Sequence, residues 1–159
     1  MSRGKRNPDT VFLSCTTISP EKTAAEIQEL LGRRAKRVLI EYDAGEVVAI
    51  SFSMVIGGHI DGQEILFRLP VRWQNYAQVL DRVARQKPRR SYRPIKIDEA
   101  QARRTAWRVA KAWLEAQLAL IDSGMAELHE VMLPYIVQGK SQETLFERLS
   151  KSGFLLEQP

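Results

Sequence analysis

The stretch VLIEYDAGEVVAISFSMVIGGHIDGQEILFRL, from Val38 to Leu69, decides the fold. Val38, Ile40 and Tyr42 alternate with Leu39 and Glu41, the period of a strand with one buried face. Asp43-Ala44-Gly45 supplies a turn in which Gly45 takes a positive φ without steric cost. Val48, Ile50, Phe52, Met54 and Ile56 then recur at every second position, with Ser51 and Ser53 on the opposite side. Gly57-Gly58 and Asp61-Gly62 bracket another tight connection, and Ile65, Phe67 and Leu69 complete a third strand. The pattern predicts an antiparallel meander with one buried face.

On the N-terminal side, Ser19-Pro20-Glu21 combines a capping hydroxyl, proline at the first helical position and an acid beside the helix N-terminus. Ala24, Ile27, Leu30 and Leu31 follow at helical spacing, and Gly32 marks the stop. Val11 to Thr17 reads as a short strand. On the C-terminal side, Pro70 ends the sheet and opens a helix with Trp73, Tyr76, Ala77, Leu80, Val83 and Ala84 on one face. Lys87-Pro88 and Arg93-Pro94 bound a non-helical stretch, because each proline drives its predecessor toward extended backbone. Asp98-Glu99-Ala100-Gln101 has the form of a capping box and starts a long helix to about Ile121. Met125 to Leu133 forms a shorter helix broken by Pro134, and Ser141 caps a last one through Leu149.

The order β-α-β-β-β-α, followed by three helices, predicts an α+β protein whose helices cover one face of an antiparallel sheet. The expected organisation is a flexible basic arm over 1–10, a sheet domain over 11–87, a basic proline-containing linker over 88–97, and a helical segment over 98–159 packed on the sheet domain.

A chain of 159 residues with 44% hydrophobic content buries a core of its own. One cysteine, Cys15, excludes an intramolecular disulfide framework and fits a reducing compartment. No apolar run approaches the roughly 18 residues of a membrane span, and the N-terminus lacks the apolar core of a secretory signal. A cytoplasmic protein is expected. His59 and His129 with that single cysteine cannot build a Cys/His zinc site. Phosphate-binding glycine loops and a serine nucleophile elbow are absent. No enzyme and no cofactor are expected. One alternative stays open: Asp43, Glu46, Asp61 and Glu64 gathering at strand ends to hold Mg²⁺ in a metal-dependent nuclease.

The charge is unevenly placed. Between Arg82 and Arg108 ten cations stand against Asp98 and Glu99, a local +8 in a chain of net +5. Such concentration is the footprint of a polyanion-binding surface, since each neutralised phosphate releases condensed counterions. The candidate contacts are Arg85, Lys87, Arg89, Arg90, Arg93 and Lys96, with Tyr92 to stack on a base, and Arg104, Arg108 and Lys111 along one face of the long helix. On that helix the cations lie toward the N-terminus, against the dipole, which suggests retention for a partner; solvation or internal ion pairing is the alternative. Trp73, Trp107 and Trp113 fall on apolar helix faces and read as core. Arg68, Ser51, Ser53 and Glu64 make the other sheet face polar, unlike the aromatic platform of an RRM; Arg68 reaches solvent, pairs with Glu41, or extends a basic surface across the sheet with Arg72.

The segments Glu21 to Ile27, Leu66 to Val71, Ala106-Trp107-Arg108, Trp113 to Gln117 and Leu133-Pro134-Tyr135 resemble a group of small uncharacterised proteins of bacteriophage and prophage genomes. The resemblance implies a mobile element acting in a bacterial cytoplasm, and it carries no catalytic residue. From Pro20 to Arg85 the order helix, three strands, helix also resembles double-stranded-RNA-binding domains, although Pro70-Val71-Arg72-Trp73 stands where their basic helix start belongs. The expected function is non-enzymatic binding of DNA or RNA by such an accessory protein, with no membrane partner. The alternative is an interaction module that binds a host or phage protein through its basic face and an apolar patch at Met125, Leu128, Met132 and Tyr135.

Overall fold

The computed structural model describes residues 16–56, 62–86, 98–137 and 139–153. The Ser19 hydroxyl accepts a hydrogen bond from the Lys22 amide at 3.2 Å, and Pro20 occupies the first turn, so α1 runs Pro20–Gly32. It buries Ala24, Ile27 and Leu31 along one side. Three strands follow: β1 (Arg37–Asp43), β2 (Glu46–Ile56) and β3 (Gln63–Pro70). They form one antiparallel sheet in the order β1-β2-β3. Ala44 and Gly45 both take positive φ, 48° and 82°, as a two-residue hairpin that matches the strand twist requires.

The rows Val38–Phe52–Phe67 and Ile40–Ile50–Leu69 lie in register across the sheet and face the helices. Phe52 and Phe67 stack with centroids 5.2 Å apart. One detail of the β2 alternation is corrected. Glu41 pairs with Ala49 but Tyr42 with Val47, so Val48 is an extra residue in a β-bulge. The bulge reverses the side-chain alternation at its end, and Val47, not Val48, joins the core at 4% exposure.

Pro70 is still paired to Ala49, and the Val71 amide donates to Val48 O at 3.0 Å. The ladder thus runs past the proline, and α2 spans Trp73–Gln86. The Asp98 side chain accepts from the Ala100 amide at 3.0 Å and starts α3, Glu99–Asp122. Trp107, Leu114 and Leu118 of α3 enter the same core as α1 and the sheet. The end of the chain differs from expectation. A Glu127–Glu130 capping box starts α4 only at Leu128, and α4 (Leu128–Met132) passes into a 3-10 turn, Leu133–Tyr135, that accommodates Pro134. Thr144, not Ser141, caps the last helix, α5 (Leu145–Lys151), because Glu147 completes its capping box. Ile136 bridges Phe67, and the Val137 amide donates to Leu66 O at 2.9 Å, covering part of the outer edge of β3.

The described residues thus form an α+β fold with a three-stranded antiparallel sheet and five α-helices. The strand expected at Val11–Thr17 lies largely outside the described residues, and Thr16 and Thr17 are in no regular element. No described helix is long and apolar enough to cross a membrane.

Candidate functional site

Of the candidate phosphate contacts, Lys87, Arg89, Arg90, Tyr92, Arg93 and Lys96 lie outside the described residues, as does the side chain of Arg85 in the last turn of α2. Arg82, at the head of this run, is exposed. The remaining three stand on α3, and each meets a carboxylate. Arg108 Nη1 donates to Glu26 Oε2 of α1 at 2.6 Å. Lys111 Nζ lies 3.4 Å from the same oxygen and 2.7 Å from Glu115 Oε1. Arg104 donates to Gln101 Oε1 at 2.7 Å and lies 3.8 Å from Asp98 Oδ2. Their side chains are 15–28% exposed. The Arg108 and Lys111 bonds hold the Glu26 carboxyl below its usual range, against the cost of burial.

The reversed charge order on α3 thus has an intramolecular counterpart. Glu26 on the facing side of α1 supplies the opposite charge, eighty-two positions from Arg108. Sequence spacing along α3 cannot reveal that partner. Nearby, the Arg103 guanidinium pairs with Glu46 and covers the Trp73 ring at 4.4 Å. Arg34 pairs with Asp122, and Arg72 with Glu147 at 3.0 Å. The described cations outside the 82–97 stretch are largely committed to holding elements together.

The open face of the sheet is polar, as its alternation predicts. Arg68 Nε donates to both oxygens of Glu41 at 2.9 and 3.1 Å, and the Ser51 hydroxyl donates to the same carboxylate. One strand supplies each member. Burial works against the Glu41 charge, but the Arg68 and Ser51 hydrogen bonds outweigh it and lower its pKa. A second group joins Ser53, which donates to Glu64 Oε1 at 2.7 Å, with Lys36, which donates to Oε2 at 2.8 Å. Leu39 and Leu66 flank both groups, and the concavity between them measures about 1020 Å³. Among the described residues Tyr42 is the one exposed aromatic that lines it.

A smaller cavity of about 330 Å³ opens between α3 and the end of β3, lined by Val71, Trp107, Ala110, Trp113 and Tyr135 among others. Trp107 is buried, and Trp113 packs on Tyr135 with centroids 5.2 Å apart, so these indoles belong to the scaffold. The apolar patch expected at the C-terminal helices is divided. Met132 is fully buried, and Leu128 and Tyr135 pack against the core, which leaves Met125 exposed.

Among the described residues no group of three or more His, Cys, Asp or Glu side chains is placed to hold a metal ion. Asp43 and Glu46 face each other at one end of β2, whereas Glu64 pairs with Val55 near the other end. Asp61 lies outside the described residues. No protein-family model, curated protein or solved structure matches the chain.

Proposed function

We propose that this chain is a non-enzymatic nucleic-acid-binding accessory protein whose phosphate contacts come chiefly from the segment 82–96. One observation carries the reading. Arg82, Arg85, Lys87, Arg89, Arg90, Arg93 and Lys96 follow one another without an intervening acid, which leaves the rest of the chain at −2. Cations on α3 find carboxylates within the fold, whereas this run contains none of its own. Arginine forks match phosphate oxygens bidentately, and Tyr92 within the run offers one stacking surface. Arg104, Arg108 and Lys111 act mainly as anchors of α3 and only secondarily as contacts. An accessory role of a bacteriophage or prophage protein, exercised in a bacterial host, is part of the same proposal.

The test is binding of single- and double-stranded DNA and RNA across a salt series. The expected outcome is an affinity that weakens steeply from about 50 to about 200 mM salt. Replacing Arg89, Arg90 and Arg93 by Gln is expected to flatten the log–log slope by roughly two to three units, about 0.9 per lost contact on duplex. Arg108→Gln is expected to lower Tm and shift the slope by less than about one unit. No affinity for any of the four nucleic acids at about 50 mM salt refutes the proposal.

A further inference from the structure

The outer edge of β3 is partly covered by Ile136 and Val137, but no described residue pairs with the outer edge of β1. Seven residues, Arg37–Asp43, therefore present a row of backbone donors and acceptors. Charge is the one usual safeguard of an edge that they carry, at Arg37, Glu41 and Asp43. The segment contains no proline and no glycine, and the bulge beside it belongs to β2, so β1 itself stays regular. Leu39 and Tyr42 are 63% and 60% exposed. Val38 and Ile40 pack on the core yet remain only partly buried, because nothing described lies beyond them.

The charges on this edge are self-complementary. When two copies of Arg-Val-Leu-Ile-Glu-Tyr-Asp run antiparallel about Ile40, Arg37 of one strand stands opposite Asp43 of the other, twice over. The same register sets Val38 against Tyr42 twice and Ile40 against itself, both favourable cross-strand pairings, and Leu39 against Glu41 twice, which adds nothing. Pairing within one parity keeps the helical faces of both sheets on the same side. Asp43 has no ion pair among the described residues, and Arg37, 77% exposed, has only Glu64 at 3.7 Å. A shift by two residues would instead put Arg37 opposite Glu41, which Arg68 and Ser51 already hold. The Ile40-centred register is therefore favoured.

We propose that β1 is the seam of a homodimer, in which a second copy of this chain adds its own β1 antiparallel about Ile40 and makes one six-stranded sheet. This is isologous β-augmentation, with one patch serving both partners. It is independent of the nucleic-acid reading, because no residue of the 82–96 run takes part.

Sedimentation velocity on nuclease-treated full-length protein, from about 1 to about 200 μM, tests it. The natural chain is expected to dimerise reversibly. Arg37→Asp alone sets Asp against Asp43 at both ends, and Asp43→Arg alone sets Arg37 against Arg; each is expected to weaken the dimer at least about tenfold. The doubly exchanged chain restores both pairs, and an equimolar mixture of the two single variants restores them in a heterodimer. Recovery in both, with unchanged thermal melts, supports the seam and excludes misfolding as the cause. A monomer at every concentration overturns the proposal. A dimer indifferent to all the exchanges places the contact elsewhere and also overturns it.

Discussion

Glu41 keeps its charge on a sheet face where only part of it reaches water, and Arg68 is the reason. Two Nε hydrogen bonds and an Nη2 contact at 2.9 Å replace solvent, while Ser51 satisfies a further lone pair. Removing the cation leaves a carboxylate desolvated without its strongest donor, a larger penalty than the bond's net contribution in the intact pair. Arg68→Ala is therefore expected to destabilise by about 2 kcal/mol in denaturant titration. Removing both charged partners as Glu41→Gln/Arg68→Met is expected to recover about half of that. Lys36 to Glu64 differs, since those side chains are 55% and 31% exposed. Solvent screens that pair, so its loss is expected to shift the denaturant midpoint less than the loss of Arg68 does. Arg68 was legible because strand alternation puts it on the face shared with Glu41. Glu26 was not, since nothing local to α3 indicates which acid on another helix will meet Arg108.

At the scale of elements, the β1–β2 hairpin carries a residue that its turn does not favour. Ala44 takes φ 48° beside Gly45 at 82°, and an L residue with a bare methyl is disfavoured there. Asparagine tolerates this backbone and makes Asn-Gly, the preferred pair for a two-residue hairpin. Ala44→Asn is expected to stabilise by about 0.5–1 kcal/mol, read as a rise in the denaturant midpoint at constant m-value. The hairpin itself was legible from alternation and Gly45; the bulge was not. Val47 and Val48 are adjacent and chemically identical, so hydrophobicity cannot say which one enters the core, and strand pairing alone decides. The last helix start is decided in the same way, by pairing rather than composition. Ser141 and Thr144 are both capping residues, and the choice falls to Thr144 because its amide donates to Glu147 Oε2 at 2.9 Å, which closes the capping box. Apolar periodicity over long segments located α1, β1 to β3 and α3, while short-range chemistry set their ends.

At the scale of the molecule, ionised glutamates join elements far apart in sequence. Glu26 joins α1 to α3, Glu41 joins β1 to β3, Glu64 joins β3 to the approach to β1, and Glu147 joins α5 to the β3–α2 connection through Arg72. All four have lowered pKa values. For Glu147, burial opposes ionisation, but the Thr144 backbone and Arg72 hydrogen bonds prevail. For Glu64, the Lys36 hydrogen bond leads, with Ser53 next. A lowered folded-state pKa means that the unfolded chain binds more protons below the ordinary glutamate value of about 4.3. The stabilisation from these groups is therefore fully present above that value and is lost as pH falls through the folded-state pKa values. Denaturant midpoints are expected to change little on their account between about pH 7 and 5.5, then drop steeply below about pH 4.3. Glu147→Gln is expected to lower stability at neutral pH and to make the acid limb shallower, because one proton-linked clamp is gone. An acid limb of equal steepness in that variant would remove Glu147 from the set and leave α5 held by packing and its own capping box.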